Sequence, residues 1–324
     1  MRIEVAGFGA WGLAVGSLFA RQGATVTFLT APHEDADRFN QTHLHPLFPQ
    51  VELPPTLRAR GREKRGNADY LLWAVPGKFS ADWATALEHH AARPILVLSK
   101  GLAPSGFESV ARWLRRTRSV PVSVLSGPNF AAEVLARLPA ASVIAGDLAP
   151  FLSLISRIEG GGLRLYPSSD FTGVALGGML KNVYAIGAGM SDGAALGENA
   201  RTALLTRALA EMGRLFRSQG GQEETLLGLA GVGDLFLTAS SPQSRNWQFG
   251  NALAKGINAK GAHKGVVGES EGSRTVEGLI ELSNREGIDL PLAQAIHRVI
   301  HGEIDVRGAV GVLLARPPKP DERS

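Results

Sequence analysis

Residues 1–12 read MRIEVAGFGAWG. Arg2 to Phe8 predicts a buried strand, and Gly7, Gly9 and Gly12 form a GxGxxG turn that opens a helix over Gly9–Gln22. In that context the pattern is a dinucleotide fingerprint: the first glycines allow a tight turn close to a pyrophosphate, whose charge faces the helix N-terminus. Further along, strands are expected at Thr25–Thr30, Ala68–Val75, Ile95–Ser99, Val120–Ser126, Ser142–Ala145 and Leu163–Tyr166. Helices are expected over Ser80–Ala91 and Phe107–Arg116 and from Phe130 and Leu148, while Ala31–Gly66 reads as irregular. Such alternation predicts an α/β domain with a mostly parallel sheet. After Pro167 the pattern turns to helical periodicity with glycine breaks, so an all-α domain follows, its clearest helix running from Glu198 to Gln219.

Composition narrows the function. With 324 residues there is room for about two domains. There are no cysteines, so disulfides, thiolate zinc sites and thioester-forming dehydrogenase chemistry are excluded. The eight histidines lack an HExxH pattern, and no metal is expected. No apolar run reaches the ~20 residues of a membrane span, and a cytoplasmic location is expected. The net charge is +4, but the arginines are scattered, which favours a small anionic substrate over nucleic acid.

Further stretches invite chemistry. Lysine is scarce, at eight of the 34 basic residues, yet Lys181 stands in the apolar stretch LGGMLKNVYAIGAGMSDG and Lys100 at a strand end. A lysine kept in such a place suggests a titratable amine, which arginine cannot supply. The strand ends VPGKF, SKGL and SGPNFAAE lie where open α/β sheets hold their ligands. In the helical half, Asp234 follows a glycine turn, and Arg245 beside Asn246 is a suitable holder for a phosphate. The tip of the second strand, Thr30-Ala31-Pro32-His33-Glu34, has neither an acidic residue nor an arginine clearly in place. His33 stands where the adenosine end is expected, and NADH and NADPH both remain open.

GFGAWG, SKGL, LSGPNFAAEV, ALGGMLKNVYAIGAGMSDG, GENARTALLTRALAEM, GLAGVGDLFLT, SRNWQFG and EGSRT run in order over nearly the whole chain. Through them it resembles the bacterial NAD(P)-dependent glycerol-3-phosphate dehydrogenases. The resemblance implies a Rossmann-like dinucleotide-binding domain over residues 1–168, a helical substrate domain over 169–316 and a flexible tail over 317–324. It implies a homodimer that uses NAD(P)H to interconvert dihydroxyacetone phosphate and sn-glycerol 3-phosphate for phospholipid synthesis. Carried over by motif, Lys181 is the proton donor or acceptor and Lys100 meets substrate and cofactor. Asp234, Arg245 and Asn246 bind substrate, with Asn182 and Thr238 as further contacts. Gly7, Gly9, Ala10, Trp11, Gly12, His33, Gly127, Ala131, Ser244, Arg245 and Glu271 fall on the cofactor. Ala10 stands where the family usually has serine, and Asn129 where SGPSF is usual. A ketopantoate reductase or hydroxyacid dehydrogenase on the same architecture, or a non-catalytic dinucleotide-binding regulator, are the alternatives.

Overall fold

A computed structural model describes residues 1–32, 34, 36–104, 106–265 and 270–317. His33 and most of the expected tail lie outside the described residues. The chain divides into two compact units, one taking in Met1–Pro104 and Glu108–Ala175, the other running from Leu176 onward.

The first unit contains, in order, β1 (Arg2–Ala6), α1 (Ala10–Arg21), β2 (Thr25–Thr30), α2 (Ala36–Thr42), β3 (Arg58–Gly61), β4 (Tyr70–Trp73), α3 (Ser80–Ala86), β5 (Ile95–Val97), α4 (Val110–Thr117), β6 (Val122–Ser126), α5 (Ala131–Leu135), β7 (Ala140–Gly146), α6 (Leu152–Gly160) and β8 (Leu163–Ser168). The strands form one sheet in the order β3-β2-β1-β4-β5-β6-β7-β8. All neighbours are parallel except β6 and β7, so the expected mostly parallel sheet is present. Strand order reverses between β1 and β4, and the crevice at their carboxyl ends is where such sheets take ligands. The glycine turn sits there.

Two elements lie inside the stretch read as irregular. β3 (RARG) pairs with β2 alone as an edge strand and carries no apolar run. α2 buries a single side chain, Phe39, whose ring meets Phe8 and Phe28 edge-on at 4.9 and 6.1 Å. The expected helix Ser80–Ala91 stops at Ala86, and Phe107–Arg116 begins at Val110, where the Ser109 side chain accepts from the Arg112 N–H. Glu4 in β1 is buried and ion-paired with Arg60 of β3 and Arg93 ahead of β5.

Helices α7 (Phe171–Gly193), α8 (Glu198–Gln219), α9 (Glu223–Leu226), α10 (Asp234–Ala239), α11 (Arg245–Ala254), α12 (Ala259–Gly265), α13 (Glu271–Glu286), α14 (Pro291–Ile300) and α15 (Val306–Leu314) follow, α7 beginning in the first unit. From Leu176 to Ser191 every residue of α7 is buried, which explains its apolar and small composition. A side chain at Gly189 would meet the Trp247 carbonyl at 2.0 Å, and one at Gly250 the Ile186 carbonyl at 2.0 Å, so α7 and α11 touch backbone to backbone.

α8 keeps its expected limits, and Gly220 ends it in the left-handed conformation at φ 77°. Its face carries an unexpected charge, Glu211, which is 1% exposed. One carboxylate oxygen accepts from the Leu292 N–H at 2.6 Å, the other from the Ala293 N–H and the Tyr184 hydroxyl, each at 3.1 Å. Glu211 therefore caps the N-terminus of α14 from another helix. Burial outweighs these donors and pushes its carboxyl up to about 7 from 4.5. The folded chain then keeps a proton that the unfolded chain releases, so this contribution to stability is full below about pH 4.5 and lost as the pH rises to about 7. Glu211→Gln lacks that dependence. In urea unfolding at pH 5 and pH 8, the stability of the wild type relative to this variant should fall with rising pH; a constant or rising difference would show that the donors hold the group charged throughout.

Candidate active site

The turn after β1 meets the demands of a pyrophosphate cradle. Gly7 has φ 96°, and a Cβ there would lie 2.9 Å from the Ala74 carbonyl oxygen. A Cβ at Gly12 would lie 2.9 Å from Ala74 Cβ, so this glycine lets α1 sit close on the sheet. Gly9 faces open space, with nothing within 4 Å of an added Cβ. Ala10 and Trp11 begin α1, which has neither a side-chain cap nor an acidic residue in its first turn. The helix end thus presents N–H groups and partial positive charge to a ligand. Trp11 Nε1 is buried with no hydrogen-bond partner among the described residues. The cradle fits a dinucleotide.

Neighbouring strand ends are tied together. The Ser99 hydroxyl donates to the Val75 carbonyl at 2.6 Å, and Lys100 Nζ to the Gly127 carbonyl at 2.8 Å. Gly127 runs against β7, where an added Cβ would lie 2.9 Å from Ser142 Cα, and Ala131 opens α5. Asn129 donates to the Ala141 carbonyl and Ser142 Oγ, both at 2.8 Å. Its amide thus fastens the loop to the sheet. Sequence reading missed His45: its Nδ1 accepts from the Leu47 N–H at 3.2 Å, so Nε2–H donates to the Phe8 carbonyl at 2.9 Å and props the turn. Burial lowers the His45 pKa, which favours this neutral form.

In the second unit Lys181 Nζ donates to Asp234 Oδ1 at 2.9 Å and to Thr238 Oγ1 at 2.6 Å. Asp234 and Thr238 lie one turn apart on α10, and a π-helical turn, Leu229–Gly233, leads into it. The carbonyl of Ala230 in that turn fills the space beside Gly177, 2.4 Å from where a Cβ would be. All three side chains are buried, and the ammonium is held in one orientation.

Asn246 belongs to a second network. Its Nδ2 donates to Asn182 Oδ1 at 2.9 Å, while its Oδ1 accepts from Ser270 Oγ at 2.6 Å and the Gly272 N–H at 3.1 Å. The network joins α7 to the N-termini of α11 and α13. One Nδ2 hydrogen is left to Asn246 for a ligand. Ser244 caps α11 by accepting from the Trp247 N–H at 3.2 Å; Arg245 stands exposed in its first turn, and Glu271 opens α13. Sequence reading did not single out Ser270, whose partner is 24 residues away.

The family patterns described as NAD-dependent glycerol-3-phosphate dehydrogenase N-terminus and C-terminus match residues 2–149 and 170–311. The chain belongs to this family. It is 38% identical to the glycerol-3-phosphate dehydrogenase [NAD(P)+] of Halorhodospira halophila, covering 98% of this chain and 97% of that one. The crystal structure of the Coxiella burnetii glycerol-3-phosphate dehydrogenase superposes with a TM-score of 0.90 at 36% identity, over 97% of this chain and 99% of that one. A ketopantoate reductase of Ralstonia eutropha, at 16% identity and a TM-score of 0.66 over 96% of this chain and 100% of that one, shares the fold alone. The assigned family is an NAD(P)-dependent dehydrogenase family, and the cradle after β1 fits its cofactor.

Removing either partner of a buried ion pair leaves the other charge unmatched, at a cost of ~3–5 kcal/mol. Lys181→Met should therefore lower the melting temperature, and Lys181→Met/Asp234→Leu should recover most of the loss. A double variant no more stable than Lys181→Met would show that the two charges are not coupled.

Proposed function

We propose that this protein catalyses the reversible NAD(P)H-dependent reduction of dihydroxyacetone phosphate to sn-glycerol 3-phosphate, supplying glycerophospholipid synthesis. The observation that carries the reading is the buried Lys181 ammonium, fixed by Asp234 and Thr238 within a chain of this family. The reduced nicotinamide, when bound, supplies a hydride to the ketone carbon. Lys181 Nζ delivers the proton that the forming alkoxide needs and places positive charge at that oxygen beforehand. Asp234 keeps the ammonium aimed and balances its charge after burial. Lys100, held by the Gly127 carbonyl, contacts substrate and cofactor. Arg245 pairs with the phosphate, joined by the remaining Asn246 hydrogen and by Asn182. In this reading residues 1–168 form the dinucleotide-binding domain and 169–316 the substrate domain. Gly7, Gly9, Ala10, Trp11, Gly12, Gly127, Ala131, Ser244, Arg245 and Glu271 hold the cofactor. The resemblance carries with it a cytoplasmic homodimer; among the described residues no helix is long and apolar enough to cross a membrane.

Absorbance at the reduced-nicotinamide band tests the reaction: it should fall on adding dihydroxyacetone phosphate with either NADH or NADPH. Oxidation with ketopantoate but not with dihydroxyacetone phosphate would overturn the assignment. Lys181→Met should lose ~10²–10⁴-fold in turnover, the usual worth of a general acid. Lys181→Met/Asp234→Leu should stay inactive despite its recovered stability, which separates chemistry from folding.

The phosphate contact has its own test. A charge-assisted contact of this kind contributes ~2–4 kcal/mol to kcat/KM. Wild type should strongly prefer dihydroxyacetone phosphate over dihydroxyacetone, and Arg245→Ala should lose most of that preference while changing little towards the plain ketone. Equal losses on both substrates would assign Arg245 to the cofactor or the fold.

A further inference from the structure

One side-chain cluster has no part in the chemistry above. Glu277 stands on α13, and His297 and His301 stand four residues apart on the last turn and C-cap of α14, on one face of the helix. His297 Nε2 lies 3.0 Å from one oxygen of Glu277, and His301 Nε2 lies 2.8 Å from the other. The two rings are 4.3 Å apart between centroids. A ligand atom from each of the three residues lies within 4.8 Å of the others.

Both imidazoles turn the same nitrogen towards one carboxylate. Hydrogen bonding alone requires each Nε2 to carry a proton; with the proton on Nδ1, each Nε2 offers a lone pair to a cation instead. Zinc bonds of ~2.0–2.2 Å place tetrahedral ligand atoms about 3.3 Å apart. The separations of 2.8 and 3.0 Å reach that by small rotations of partly exposed side chains. Two further features favour a cation. The C-terminal carbonyls of α14 add partial negative charge to that of Glu277. Glu277 and His301 are 43% and 45% exposed, so water can take the remaining coordination position.

We propose that Glu277, His297 and His301 form a three-ligand site for a borderline divalent cation, with zinc the best match, which clips α13 to α14. Two nitrogen ligands select against magnesium and calcium, which prefer all-oxygen shells. Sequence reading expected no metal because HExxH is absent; here the histidine pair has the same four-residue spacing, but its carboxylate comes from another helix.

The test uses tag-free full-length protein near neutral pH, titrated calorimetrically with zinc chloride and melted with and without it. Wild type should bind one zinc per chain at this site and melt at a higher temperature when zinc is present, whereas magnesium chloride should change nothing. Glu277→Gln and His301→Gln should each weaken zinc binding at least about tenfold and abolish the melting shift. Their metal-free melting temperatures and their rates of NAD(P)H oxidation should match the wild type. Zinc uptake and a melting shift undiminished in both variants would place any bound zinc elsewhere on the chain. Absence of zinc binding at micromolar concentrations in the wild type would leave the cluster as two hydrogen bonds, and either result overturns the proposal.

Discussion

A lysine ammonium inside a helical core must be met by a carboxylate, and much of the second unit is arranged around that requirement. α7 supplies Lys181 from a fully buried stretch, and α10 returns Asp234 and Thr238 to it. For α10 to begin at the right place, the chain winds through a π-helical turn whose Ala230 carbonyl presses on Gly177. Backbone contact with α11 at Gly189 then fixes where Arg245 and Asn246 begin their helix. The small residues of α7 thus serve close approach by neighbouring backbones.

The first unit solves a different problem, holding several loop ends still without filling the space a ligand needs. Gly7 and Gly12 are constrained by Ala74, whereas Gly9 has open space before it. Ser99, Lys100 and Asn129 each donate to a main-chain carbonyl in or just beyond a neighbouring strand. His45 does the same for Phe8 from within a stretch that has little regular structure. Rigidity is supplied by side chains, and the first N–H groups of α1 are left without a side-chain cap.

What could be read from sequence was what is encoded locally. The glycine turn, the alternation of strands and helices and the span of α8 depend on residues a few positions apart, and they were legible. β3 was not, because an edge strand of sequence RARG presents no apolar signature. Glu4 and Glu211 look like surface carboxylates until Arg60, Arg93 and the start of α14 are brought to them. Lys181 was conspicuous among apolar neighbours, but its two partners lie 53 and 57 residues away. Asn246 was expected to face a ligand, yet its carbonyl is committed to Ser270 and Gly272, an outcome that spacing could not reveal.

Glu211 has a consequence for how the chain is made. Its main-chain donors, Leu292 and Ala293, come 81 and 82 residues after it. While the polypeptide is still being synthesised, α7 and α8 emerge long before those donors do. Until then, of the three groups that donate to Glu211 in the finished unit, only Tyr184 has been made. The bonding of this buried glutamate is thus completed only by one of the last-made helices.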